Sequence, residues 1–294
     1  MGVDILPAKT CSFDCLYCQL GRTRRKTFRR IRYADTEQLK KELSGVLASK
    51  PRIDYLTIAG SGEPTLHKGL DKIIAALKDV SGSKIPVCVI TNSSLLWRAD
   101  VRKELREADL IIPSLDAAGE AAFKKLNCPV KGITAAKIIA GLVKLRREFK
   151  GKIWLEIMVV AGMNDAANEI RRLKTAVEQI NPDKIQLNIP VRPSWVKIRL
   201  PSRKTLEDMK RILGNKTEIV GSFSGRRQKR MFLNTKDTVS RFIRTRPATL
   251  QDLILSLGLD RRKAEVFLKE LARDSIVKAY NRLGEKYYAA DDQG

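Results

Sequence analysis

Between residue 3 and about residue 193, short apolar runs alternate with longer amphipathic ones, and each apolar run ends in Gly, Asn, Ser or Pro. Few folds satisfy that rhythm, because strands connected through helices must lie parallel in one sheet. The predicted strands are Val3–Leu6, Tyr55–Ala59, Val87–Thr91, Leu110–Leu115, Ile153–Val160 and Lys184–Ile189. Predicted helices are Thr36–Ala48, Leu70–Val80, Asp100–Glu107, Thr134–Glu148 and Ala166–Gln179; in the fourth, Ile138, Ile139, Leu142, Val143 and Leu145 recur at helical spacing. Six such units are too few to close an eight-fold barrel, so the expected architecture is an α/β open partial (β/α)6 TIM-type barrel over residues 1–200, with its chemistry at the carboxyl ends of the strands. Those ends are polar or glycine-rich: Gly60-Ser-Gly-Glu-Pro64, Thr91-Asn-Ser-Ser94, Pro113-Ser-Leu-Asp116, Ala161-Gly-Met-Asn-Asp165 and Asn188-Ile-Pro190.

Beyond Pro201 the rhythm breaks. Residues 201–235 read as an extension, with a helix at Leu206–Leu213, a short strand at Glu218–Val220 and a basic connector at Gly225–Arg230. Residues 236–294 read as three helices, Asp237–Arg244, Leu250–Leu257 and Asp260–Ala272, followed by a hairpin with strands Ile276–Tyr280 and Lys286–Ala289. That order predicts a C-terminal winged-helix domain, with Asp260 capping the third helix and Ala264, Phe267, Leu268 and Leu271 on its buried stripe. Arg261, Arg262 and Lys263 are left for an exposed face that suits a nucleic-acid backbone or groove, although winged helices also dock proteins.

The first strand leads into Thr10-Cys-Ser-Phe-Asp-Cys-Leu-Tyr-Cys-Gln19. Three thiolates so close in sequence suit one face of a four-iron, four-sulfur cluster and leave one iron open to a small molecule, whereas four would close it. A structural zinc site wants a second pair of ligands, and the chain has one histidine, His67, and two isolated cysteines, Cys88 and Cys128. Five cysteines in 294 residues do not make a disulfide framework. Cys88 reads as a small buried residue and Cys128 as an ordinary loop residue.

Composition adds one strong constraint. Lys and Arg number 57 against 33 Asp and Glu, a formal charge of +24. A salt-bridged thermophile surface would be nearly balanced, so the excess favours a polyanionic partner, nucleic acid first. Arg22, Arg24, Arg25, Lys26, Arg29, Arg30 and Arg32 place seven of these cations in eleven residues beside the cysteine loop. No apolar stretch approaches the roughly 20 residues that cross a bilayer. Reduced thiols and the lack of a targeting segment lead us to expect a soluble, cytoplasmic protein with no membrane partner.

The cysteine loop, with Tyr17 just before its third thiol, resembles the signature of the radical S-adenosylmethionine enzymes, and Gly60–Leu66 resembles their second motif. Over about residues 1–195 the resemblance implies a [4Fe-4S] cluster held by Cys11, Cys15 and Cys18, and S-adenosylmethionine bound at the open iron. One electron from the cluster would then yield a 5′-deoxyadenosyl radical, which implies an electron donor such as ferredoxin or flavodoxin. It also implies that Tyr17 lies by the adenine and that Gly60, Ser61, Gly62, Glu63 and Pro64 turn carbonyls towards the methionyl ammonium. Asn92, Ser114 and Asp116 would serve the ribose or carboxylate, Asn164 and Asn188 the adenine side, and Arg192 an anion. Gly2–Pro7, Cys18–Gly21, Ile90–Leu95 and Gln186–Pro193 are further similar to a short iron–sulfur group classed with the wyosine-base synthases of tRNA. The upstream cysteines of those synthases have no counterpart here, which separates the chain from tricyclic base synthesis and leads us to expect native residues ahead of Met1.

The leading expectation is a radical enzyme acting on RNA, with tRNA modification foremost. Two alternatives stay open: a radical enzyme acting on a protein or cofactor precursor, and a DNA-binding regulator that uses the cluster as a redox sensor.

Overall fold

The computed structural model describes residues 1–48, 51–192, 194–220, 235–245, 247–282 and 284–291. Strand β1 (Gly2–Val3) is followed by two short strands, β2 (Thr10–Cys11) and β3 (Arg25–Lys26), and then by helix α1 (Thr36–Leu47). Next come β4 (Leu56–Ile58), α2 (Leu70–Val80), β5 (Val87–Thr91), α3 (Ala99–Glu104) and β6 (Leu110–Pro113). Helices α4 (Glu120–Asn127) and α5 (Ala135–Glu148) lead to β7 (Lys152–Met158), α6 (Ala167–Ile180), β8 (Lys184–Asn188), α7 (Arg203–Leu213) and β9 (Thr217–Ile219).

Strands β1, β4, β5, β6, β7, β8 and β9 form one sheet in that order, and every neighbouring pair is parallel. The six predicted strands are all present, but the sheet has a seventh. The strand read as part of an extension, here Thr217–Ile219, pairs with β8 in the register Ile185↔Thr217 and completes the sheet's edge. Its three residues and single buried position, Thr217, left little period to read. A second departure is α4, a helix absent from the expected order of elements.

The sheet is held by apolar residues on its strands and on the helices that cover it. Leu56, Ile58, Val87, Val89, Ile111, Ile153, Leu155, Ile157, Ile185 and Leu187 belong to one continuous core with Ile138, Leu142 and Leu145 of α5. The apolar stripe predicted on α5 therefore faces the sheet, with Ile139 and Val143 partly buried at its margin. Fully burying each such side chain contributes about 1.5–3 kcal/mol, so the strand ends stand on a rigid base. Cys88 lies within this core, as expected, and burial pushes its thiol up to about 12.

The chain divides into two units, the first of which comprises Met1–Cys18, Arg22–Pro190 and Val196–Gly221. The second contains α8 (Lys236–Thr245), β10 (Ala248–Thr249), α9 (Leu250–Leu257), α10 (Arg261–Arg273), β11 (Val277–Arg282) and β12 (Glu285–Ala290). Its strands make a small antiparallel sheet in the order β10, β12, β11. The unit has its own core of Val239, Ile243, Leu253, Leu257, Ala264, Leu268 and Leu271. Asp260 caps α10 by accepting from the Lys263 N–H at 2.8 Å, and Thr249 with Asp252 closes a capping box on α9. The basic connector at 225–230 lies outside the described residues.

Candidate active site

The cysteine loop is built into the first unit from three sides. On one side β2 pairs with β3, matching Cys11 to Lys26, and the Thr27 N–H donates to the Cys11 carbonyl at 2.9 Å. On another, Gly62 bridges to Thr10, and the Glu63 N–H donates to the Thr10 carbonyl at 3.1 Å. A Cβ on Gly62 would collide with that carbonyl, so the two loops meet only because this residue lacks a side chain. On the third, the end of α4 holds the loop: the Asp14 N–H donates to the Asn127 carbonyl at 3.1 Å and the Leu16 N–H to the Leu126 carbonyl at 3.0 Å.

Two side-chain amides reach the thiols. Asn92 Nδ2 lies 3.4 Å from Cys11 Sγ, and Asn127 Nδ2 lies 3.4 Å from Cys15 Sγ. Burial, then the charge of Glu63, pushes the Cys11 thiol up to about 12; burial and Asp116 push Cys15 well up. Thiols so placed ionise only when a cation compensates the charge, which iron does. Among the described residues no three His, Cys, Asp or Glu side chains converge as ligands of a single ion.

The strand-end residues fall into two sorts. Glu63, Asn164 and part of Gly60–Pro64 are occupied in holding the backbone. Glu63 is buried, and its Oε1 accepts from the Thr65 N–H at 3.0 Å and from the Thr65 and Thr91 hydroxyls at 2.6 Å each, while Oε2 accepts from the Asn92 N–H at 2.6 Å. It thereby ties the end of β4 to the end of β5. Asn164 Nδ2 donates to the Asp116 and Met158 carbonyls, and its Oδ1 accepts from the Val160 N–H, which leaves this buried amide bonded at both ends. Gly60 has φ +148°, and a side chain there would meet the Asp4 carboxylate that receives the Ser61 N–H and hydroxyl. The Ser61 carbonyl accepts from the Lys9 N–H at 2.6 Å.

Of the others, Asn92, Ser114 and Asp116 line one small, mainly apolar cavity, whose wall is completed by Asn127 and by Phe13, Leu115, Ala117, Phe123 and Ile138. Asp116 is buried: its Oδ2 accepts from the Tyr17 hydroxyl at 2.5 Å and from Asn127 Nδ2 at 2.6 Å, and its Oδ1 from the Met158 N–H at 2.9 Å. Burial raises the Asp116 carboxyl and, with the Asp116 charge, raises the Tyr17 phenol. Asn188 contacts Glu156 at 3.5 Å. Glu156 itself is raised to about 7, first by burial and then by Asp116.

Two participants escaped the sequence reading. Glu156 is an acid on the face of β7 opposite buried Ile153, Leu155 and Ile157, and a lone carboxylate breaking an apolar run was the available signal. Asn127 sits at the end of the unpredicted α4, and its contacts could not be foreseen.

The cationic residues also separate. Arg30 is an internal anchor: its guanidinium donates to the Thr65 and His67 carbonyls and pairs with Asp100 and Glu104. Arg25 and Lys26 form β3 and are exposed, as are Arg24 and Arg29, while Arg22 lies 3.9 Å from Asp14. Arg32 adds its charge near His67, whose Nδ1 accepts from the Tyr33 N–H. Arg192, in the second unit, donates to the Pro247 carbonyl at 3.1 Å and lies 3.9 Å from Asp252. On α10, Arg261 pairs with Glu265 and Lys263 lies over the Phe267 ring, with Arg262 exposed between them.

A parallel sheet whose polar strand ends face a three-cysteine loop defines an α/β enzyme of partial-barrel type. Residues 5–173 match the model of the Radical SAM superfamily, and the chain belongs to that family. It is 34% identical over 233 residues to UPF0026 protein MJ1312 of Methanocaldococcus jannaschii, a match that covers 76% of this chain and 72% of the relative. It is 35% identical over 282 residues to a Brachyspira hyodysenteriae protein named GTPase Obg, covering 95% of this chain but spanning only 41% of that one. Among solved structures it resembles a radical SAM methyltransferase from Sphaerobacter thermophilus, at 17% identity and a TM-score of 0.56, covering 76% of this chain and 66% of that chain. Membership implies a [4Fe-4S] cluster and S-adenosylmethionine, and with them a reductant. No described helix is long and apolar enough to cross a membrane.

Proposed function

We propose that this radical SAM enzyme acts on RNA, with tRNA modification as the reaction class. When bound, the cluster and S-adenosylmethionine supply a 5′-deoxyadenosyl radical by one-electron cleavage of the sulfonium. Cys11, Cys15 and Cys18 hold the cluster in this reading. Asn92 and Asn127 donate to two of the thiolates, and Asp116 orients Tyr17 and Asn127 beside the cavity.

The observation that carries the RNA reading is the pairing of β2 with β3. It fixes the exposed Arg25 and Lys26 within one backbone hydrogen bond of the cysteine strand, and Arg24 and Arg29 flank them. Phosphates held there would lie next to the radical, so a nucleotide leaving its stack would be presented to it. The three helices and small sheet of the second unit, read as a winged helix, extend the grip through Arg261, Arg262 and Lys263. A ferredoxin or flavodoxin suits the role of reductant.

The test compares 5′-deoxyadenosine formation by the reconstituted, anaerobic protein with and without bulk tRNA, alongside RNA binding as a function of salt. Stimulation with salt-sensitive binding is expected. Absence of both removes RNA as the substrate, and hydrogen exchange into a polypeptide would move the reading to a protein substrate.

A further inference from the structure

We propose that Phe28 is a stacking platform for an unpaired nucleobase, with the exposed cations on either side of it taking the flanking phosphates. The inference rests on the RNA reading of the same ribbon and goes beyond it, by naming the strand state that the ribbon accepts and the side chain that selects it.

The two phenylalanines nearest the thiols are treated differently. Phe13, in the cysteine loop, is 3% exposed and meets Phe123 edge-on at 5.5 Å. Phe28 is 47% exposed, the highest value among the large apolar side chains of the described residues. A lone exposed apolar residue is ordinary on a protein surface, but this one is held open by its own backbone. On its amino-terminal side β3 pairs with β2, and the Thr27 N–H donates to the Cys11 carbonyl at 2.9 Å. On its carboxyl side the Arg30 guanidinium donates to the Thr65 and His67 carbonyls at 2.8 and 2.9 Å, and the Ile31 N–H to the Leu66 carbonyl at 3.1 Å. Between these anchors the Arg29 N–H donates to Thr27 Oγ1 at 3.0 Å, a hydroxyl turn that spans Phe28. The backbone that carries the ring is therefore set beside the cysteine strand before a partner arrives, which lowers the ordering cost of binding there.

The surroundings of the ring identify its partner. From Cys15 to Ala34 the chain carries six Arg, one Lys and no Asp or Glu, and the exposed Lys26 and Arg29 flank Phe28. An acidic protein surface would satisfy the cations and leave the ring bare. A lipid surface would want far more apolar area than one ring supplies. A single-stranded nucleic acid answers both features, with phosphates for the cations and bases whose faces are free to stack. In a duplex those faces are already covered by neighbouring bases, so the ring takes only nucleotides in a loop or an opened strand. The same unpaired state is what chemistry on a base requires.

The test uses the reconstituted, anaerobic holoprotein and two probes, a single-stranded RNA oligomer and the same oligomer annealed to its complement, with affinity read at several salt concentrations. Phe28→Ala should weaken binding of the single strand about tenfold, leave the duplex within about twofold and leave the salt slope unchanged, because the ring carries no charge. Phe28→Leu should lose as much, since an aliphatic side chain does not stack. Phe28→Trp should hold the affinity, and the fluorescence it adds should be quenched by the single strand and not by the duplex. Wild-type affinity in Phe28→Ala or Phe28→Leu, or equal losses on the two probes, overturns the stacking while salt-sensitive binding by wild type upholds the RNA reading. A wild type that binds neither probe in a salt-sensitive way removes the RNA reading itself and the stacking with it. Binding to vesicles of phosphatidylserine and phosphatidylcholine that is lost in Phe28→Ala gives the ring to a lipid surface and overturns the proposal as well. If Phe28→Ala does not retain its cluster, Phe28→Trp decides, and absence of quenching by the single strand overturns the proposal.

Discussion

The cysteine loop and the cationic ribbon that follows it are neighbours in sequence and opposite in their use of charge. Around the loop, charges are buried and bonded on several sides: Glu63 receives four hydrogen bonds and Asp116 three. Along the ribbon, only Arg30 is treated this way, with its side chain 5% exposed between Asp100 and Glu104. Its neighbours Arg24, Arg25, Lys26 and Arg29 face solvent. A buried charge fixes geometry because moving it strands its partners, whereas an exposed charge remains available to a partner at little cost.

The comparison can be broken most severely at the loop itself. Cys15→Ala should abolish the four-iron absorption and S-adenosylmethionine cleavage together; retention of either in the reconstituted protein would refute the ligand assignment. Next in size is the contrast within the ribbon. Arg30→Ala should lower stability by about 3 kcal/mol, since Glu104 loses a buried partner, whereas Arg29→Ala should change it by less than about 0.5 kcal/mol. Urea unfolding of the two variants checks this, and equal effects would erase the distinction between anchor and available cation.

Glu156 sharpens the comparison through pH. Its folded pKa, about 7, lies above its ordinary value of 4.5, so between these values the folded protein binds more protons than the unfolded chain. Stability therefore falls as pH rises through that window, by at most about 3 kcal/mol. Glu156→Gln should stabilise the cluster-free protein at pH 8 by about 1–3 kcal/mol and have almost no effect at pH 4.5, as thermal unfolding at the two values will show. The smallest effect is expected at the exposed cations. Each of Arg25→Ala and Lys26→Ala should lower the slope of log affinity for RNA against log salt by about 0.7–0.9, with stability nearly unchanged.

The strands and the cysteine loop were legible for a common reason: each is a local pattern, an apolar run with a punctuating turn or three thiols in eight residues. What could not be read depended on contacts between distant segments. Asn127 is 112 residues from Cys15, and helix α4 that carries it has eight residues and ends without a glycine signal. Glu63 stood in a motif read for its carbonyls, yet its side chain is taken up by Thr65, Thr91 and Asn92. Arg30 was one of seven similar cations, and only the placement of Asp100 and Glu104, 70 and 74 residues away, singles it out. Strand β9 was seen but assigned to an extension, because three residues do not reveal which edge they complete.

The contact between Gly62 and the Thr10 carbonyl has a mechanical consequence. With the Glu63 N–H bonded to the same carbonyl, the two loops have no slack between them and move as a single lever. A displacement of the cysteine strand at Thr10 is therefore carried directly to Gly62 and Glu63, so the loop after β4 has no position of its own that is independent of the thiols.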